Sequence, residues 1–150
     1  MIREATPGDV SSLVALGAQM AAESSHFARL TYAPEKLAAL FANLIASPDG
    51  LLLIAEYDGS PAGVFAGCVV EHWMSTDRIA TDFGLFVLPR YRGRPAAMRF
   101  ARAYQRWARE RGALIVTLGI STGVHVEQTA RFYRALGFTD AGLIFEVPHV

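Results

Sequence analysis

The chain has 150 residues, 52% of them hydrophobic and 19% charged, with 14 basic residues balancing 14 acidic ones. That is one domain's length, with more apolar material than a disordered chain carries, and its neutral balance argues against a chain built as a whole to bind nucleic acid or an anionic membrane. Cys68 is the single cysteine, which excludes an internal disulfide or a cysteine-rich zinc site and fits a reducing compartment.

The start, Met1-Ile2-Arg3-Glu4, shows no apolar signal core, and apolar runs such as Leu51 to Ala55 are far too short to span a bilayer. Residues 1–150 are therefore read as one soluble cytoplasmic domain. A short strand at Ile2 to Ala5 leads into Thr6-Pro7-Gly8-Asp9, a helix start with a capping residue, a proline and an acid. The helix is expected to reach Glu23, with Val10, Leu13, Val14, Gly17 and Met20 on one face. Ser24 to Ala33 reads as a loop or broken helix. A second helix follows Pro34, its apolar stripe formed by Leu37, Leu40, Phe41 and Leu44.

Leu51 to Tyr57 and Gly63 to Trp73 read as two strands joined by a tight turn that begins at Asp58-Gly59. Arg78 to Leu88 is a third long strand, stopped by Pro89. A long helix is expected from Pro95 to Arg111, ended by Gly112. Leu114 to Ile120 follows as a strand, Val126 to Leu136 as a helix, and Gly142 to Val147 as a closing strand. The order β-α-α-β-β-β-α-β-α-β predicts an α/β fold, more strictly α+β: a mixed, mostly antiparallel sheet with helices on both faces.

The stretch from Leu85 to Ala97 carries the chemistry. A strand ends, a basic glycine-containing loop follows, and a long helix begins. Such a joint aims several backbone N–H groups and a helix dipole at one spot, a ready place for phosphate. Arg90, Arg92 and Arg94 add positive charge.

This stretch resembles the pyrophosphate-binding motif of the GNAT acyltransferases. Val87 and Pro89 match the strand end, Tyr91-Arg92-Gly93 the frequent Tyr-Arg-Gly, and Ala97 the final small residue. Pro95 departs from it, standing where glycine is usual and removing one N–H. A second match is Ala130-Arg131-Phe132-Tyr133-Arg134-Ala135-Leu136-Gly137-Phe138, similar to the superfamily's late helix, although Glu127 stands where an asparagine is common.

The resemblance implies an acetyl-CoA-dependent N-acetyltransferase that moves an acetyl group directly to a primary amine. The acceptor would be a small molecule or a peptide, with no nucleic acid, membrane or metal involved; a homodimer is open as its assembly. The donor's pantetheine would pair with the backbone of Leu85, Phe86 and Val87. Its pyrophosphate would meet the backbone of Gly93, Ala96, Ala97 and Met98 and the side chains of Arg92 and Arg94.

Tyr133 matches the family's general acid; a tyrosine packed in the core is the other reading. For the base, Glu71 and Asp82 are the candidates, acting through water, with His72 beside Glu71. Trp73, Phe27 and Tyr32 are candidates for the acceptor pocket. Arg99, Arg102, Arg106 and Arg109 read as a solvated helix face, and Cys68 as a small buried hydrophobe. His26, His125 and His149 are too scattered for a metal site. Two alternatives stand beside the enzyme: a non-catalytic CoA-binding or interaction module on the same fold, and an acid-activated ligase or nucleotide-binding domain. The latter lacks any Gly-x-x-x-x-Gly-Lys-Ser/Thr run.

Overall fold

A computed structural model describes residues 1–148; His149 lies outside the described residues. The elements are β1 (Ile2–Glu4), α1 (Val10–Glu23), α2 (Pro34–Ala46), β2 (Gly50–Tyr57), β3 (Ser60–Glu71), β4 (Arg78–Val87), α3 (Ala96–Glu110), β5 (Ile115–Val116) and α4 (Val126–Ala135). Short 3-10 turns stand at Pro7–Asp9, Phe27–Arg29 and Pro89–Tyr91. The sheet runs β1-β2-β3-β4-β5. Its first four strands are antiparallel, and β5 joins β4 in parallel. α1 and α2 separate β1 from β2, short turns join β2 to β3 and β3 to β4, and α3 carries the chain across to β5, as a parallel pairing requires.

Asp58 and Gly59 both take positive φ, 52° and 73°, the geometry that closes a two-residue hairpin with the twist of its strands. Alternation along β2 then builds two cores. Leu52 and Ile54 face α1 and α2, meeting Leu13, Leu16, Phe41 and Leu44. Leu51, Leu53 and Ala55 face α3, meeting Phe100, Tyr104 and Ala108. The arginines at 99, 102, 106 and 109 occupy the exposed side of α3. Cys68 is half-buried, and burial pushes its thiol pKa up, which suits a packed rather than a reactive cysteine.

Two expectations at the C-terminal end are corrected. The strand expected over Leu114 to Ile120 is a ladder of two residues only. Among the described residues the closing strand expected over Gly142 to Val147 is absent: the segment has no ladder partner there, and Leu143, Ile144, Phe145 and Val147 are each at least 73% exposed. It is held instead by Glu146, which pairs with Arg29 at 3.0 Å and with His26 at 3.2 Å. The physical reason is the short reach of β5. Past Thr117 the backbone leaves β4, and its polar groups go to side chains, so no long, regular edge is presented to a following strand. Among the described residues, no helix is long and apolar enough to cross a membrane.

Candidate active site

β4 is paired on both sides only at its start. Ile79 and Ala80 face Ile115 and Val116 of β5, and Thr117 adds one further bond, its N–H donating to the Ala80 carbonyl at 3.1 Å. Beyond that point the strands part. A cavity of about 460 Å³ opens there, within the usual range for ligand sites. Its walls are β4 from Asp82 to Val87, the loop Gly119–Thr122, the start of α3, the α1 end with Met20 and Glu23, and Phe132 and Tyr133 of α4.

A bulge re-aims β4 at the cavity. Opposite β3, Gly67 faces Asp82 and Ala66 faces Gly84, leaving Phe83 as an extra residue. Ala80 and Val87 consequently both pack on the α3 side, which strict alternation forbids for residues seven apart.

The joint expected to bind phosphate lies at the end of this strand. Gly93 has φ 88°, a conformation that favours glycine. The N–H groups of Gly93, Ala96, Ala97 and Met98 have no protein acceptor among the described residues, as expected for the first turn of a helix. Pro95 precedes that turn with φ −74° and ψ 2°. The two arginine side chains are engaged elsewhere. Arg92 donates through Nε to the Val87 carbonyl at 2.9 Å and grips both carboxylate oxygens of Glu23 at 2.6 Å each. That pairing holds the Glu23 carboxyl below its usual pKa. Arg94 lies over the rings of Tyr57 and Tyr91, 4.9 and 5.4 Å from their centroids. Among the described residues, the groups left without a partner at this joint are therefore main-chain N–H groups, with both guanidinium groups lining the cavity beside them.

Tyr133 is 7% exposed and its ring stands tilted against those of Phe132 and Phe138, with centroids 5.7 and 5.9 Å away. Its hydroxyl stands 3.5 Å from the Gly119 carbonyl, a contact longer than a good O–H···O bond. Burial, and after it the charge of Asp82, pushes the phenol well above the ordinary tyrosine pKa, so it keeps its proton at neutral pH.

The two base candidates separate. Asp82 lines the cavity. Burial raises its carboxyl above the usual pKa, partly offset by the Gly119 N–H that it accepts at 2.9 Å. Glu71 is exposed at the far end of β3 opposite Arg78, away from the cavity lining, with His72 beside it.

Of the acceptor-side aromatics, Phe27 lines the cavity. Tyr32 instead donates its hydroxyl to the Val14 carbonyl at 2.5 Å, and Trp73 is 86% exposed on the β3–β4 turn. Sequence reasoning missed Glu23 and Met20 as cavity residues, and also Ser24. The Ser24 hydroxyl donates to the Thr122 carbonyl at 2.5 Å and accepts the Phe27 N–H at 3.1 Å. Only the polar residues at the end of an apolar helix could have signalled them. Among the described residues, no three His, Cys, Asp or Glu side chains gather as a metal site would require.

Known proteins share this architecture. The sequence matches the model of the acetyltransferase (GNAT) family over residues 18–138. Among solved structures, the aminoglycoside N-acetyltransferase AAC(6')-Iy, in complex with a bisubstrate analogue joining CoA to an acetylneamine, is similar with a TM-score of 0.78 at 19% identity. That match covers 100% of this chain and 97% of the other. A glucosamine-6-phosphate N-acetyltransferase from Arabidopsis thaliana gives 0.76 at 15% identity, covering 100% and 98%. An acetyltransferase described from Agrobacterium tumefaciens gives 0.75 at 23% identity, covering 99% of each chain. At these identities the likeness speaks for the fold. No curated protein matches by sequence.

Proposed function

Because this chain belongs to the acetyltransferase (GNAT) family, with acetyl-CoA as its donor, we propose that it moves the acetyl group directly to a primary amine of a small-molecule acceptor. The observation that carries this reading is a convergence. An open stretch of β4, a helix start whose N–H groups have no acceptor among the described residues, and a buried tyrosine border one cavity.

In this reading the pantetheine amides pair with the side of β4 at Leu85 to Val87 that β5 leaves uncovered. The pyrophosphate takes the N–H groups of Gly93 and of Ala96 to Met98, aided by the positive end of α3. Arg92 and Arg94 contribute charge from the rim. The acceptor enters from the α1 side, past Met20, Glu23 and Phe27.

The neutral amine nitrogen attacks the thioester carbonyl carbon, and the C–S bond then breaks. Tyr133 gives its proton to the departing sulfur. The proton lost from nitrogen passes to water, with the free oxygen of Asp82 as the carboxylate that takes it. Asp82 then releases its proton to solvent water and the Tyr133 phenolate takes one up, so that over the cycle one proton has moved net from nitrogen to sulfur. Glu71 has no part in this scheme, because it stands outside the cavity.

Acetyl-CoA turnover across a panel of primary amines, followed as free thiol, tests the proposal. Release of CoA thiol that depends on an amine supports it. Acetyl-CoA binding without turnover on any amine selects the second reading, a CoA-binding module, which Pro95 favours by depriving the cradle of one donor.

Pro95→Gly supplies that missing N–H. A hydrogen bond to a charged group contributes about 1.5–3 kcal/mol net, so CoA affinity should rise roughly tenfold by calorimetry. Thermal stability should drop slightly, because glycine widens the unfolded ensemble. Unchanged or weaker binding means that this backbone position does not face the phosphates.

A further inference from the structure

Parallel strands that start as neighbours normally continue, since buried backbone groups left without partners are costly. β4 and β5 stop pairing after Thr117, and side chains take over the ladder's work on β5. The Tyr104 hydroxyl donates to the Thr117 carbonyl at 3.0 Å. Two residues on, the Gly119 N–H donates to Asp82 Oδ1 at 2.9 Å. Asp82 sits beside the bulge at Phe83, where β4 turns its alternation over. A carboxylate on a short stem reaches across a gap that a backbone carbonyl cannot bridge.

We propose that Asp82 is a positioning residue, a strut whose Oδ1 holds Gly119 at a set distance from β4 and so fixes the width of the opening between β4 and β5. The strut keeps the slot open for the thioester arm of the acyl donor. It also steadies the residue whose carbonyl faces the Tyr133 hydroxyl. The inference rests on the reading that this opening receives the donor. It is separate from proton transfer, which uses the other carboxylate oxygen.

A strut needs an acceptor oxygen but no charge. Asp82→Asn keeps the oxygen, and Asp82→Val, similar in size and suited to a strand, removes it. CoA titrated into each folded protein by calorimetry requires no acceptor substrate. Loss of one hydrogen bond that shapes the slot should weaken CoA binding about tenfold in Asp82→Val. Asp82→Asn should stay within about twofold of the parent.

Equal CoA affinity in Asp82→Val and the parent overturns the strut, as does equal weakening in both variants, which would mark the charge as the need. A variant that only melts earlier, with affinity intact, overturns it too. Should Asp82→Val fail to fold, Asp82→Ala makes the same comparison against Asp82→Asn. If the parent itself does not bind CoA, the donor reading falls and the strut falls with it; if the parent binds and the variants do not differ, the strut alone falls.

Discussion

Gly93→Asp is expected to weaken CoA binding by at least about a hundredfold while leaving the protein folded. A Cβ at position 93 meets no atom within 4 Å apart from its chain neighbours, so the packing around the backbone leaves room for the substitution. Two effects act on the ligand. The backbone φ of 88° is strained for any residue with a Cβ, at a cost of order 1–3 kcal/mol, and relaxing it turns the Gly93 N–H away. The new carboxylate also faces a doubly charged pyrophosphate. Like charges about 4 Å apart repel by roughly 1–4 kcal/mol per pair between bulk water and a protein surface. Gly93→Ala carries the strain without the charge and should fall between the two. Calorimetry with CoA, beside a circular-dichroism spectrum to confirm folding, makes the measurement. Parent-like affinity in folded Gly93→Asp places the anion cradle elsewhere.

Tyr133→Phe is expected to lower kcat by roughly a hundredfold with the acetyl-CoA KM little changed. General acid help is typically worth about 10²–10⁴-fold, and a thiolate is a good leaving group, which puts the loss at the lower end. The interaction grows only as the C–S bond breaks, so it appears in kcat rather than in binding. Burial and the Asp82 charge raise the phenol's pKa, so the proton is in place throughout the neutral range.

The structure also separates this role from packing. Among the described residues the hydroxyl has only the long contact to Gly119, while the ring keeps its neighbours Phe132 and Phe138. Removing the oxygen therefore leaves the core intact, and the melting temperature should barely move. A parent-like kcat in folded Tyr133→Phe, once chemistry is shown to limit turnover, removes Tyr133 from the mechanism.

The amino-acid sequence by itself determined the parts whose causes are local. The Asp58-Gly59 turn follows from two residues that accept positive φ. α3 follows from an apolar stripe at helical spacing, ended by Gly112. The joint between β4 and α3 follows from a strand, a glycine and a helix start placed consecutively, and the place of Tyr133 on α4 from a helical run. What only the tertiary structure decided depends on partners distant in sequence and on strand register. Arg92 meets Glu23 from 69 residues away, Asp82 meets Gly119 from 37, and Ser24 meets Thr122 from 98. Glu71 and Asp82 were equivalent as letters on neighbouring strands. One lies at an exposed strand end, and the other stands where a bulge and a diverging strand open a cavity. The stretch Gly142 to Val147 has the apolar run of a strand, but a strand exists only where an edge is free to pair, and β5 ends too soon to offer one. Local propensity sets what a segment can become, while the burial of distant surfaces against each other sets which polar groups are left facing the ligand.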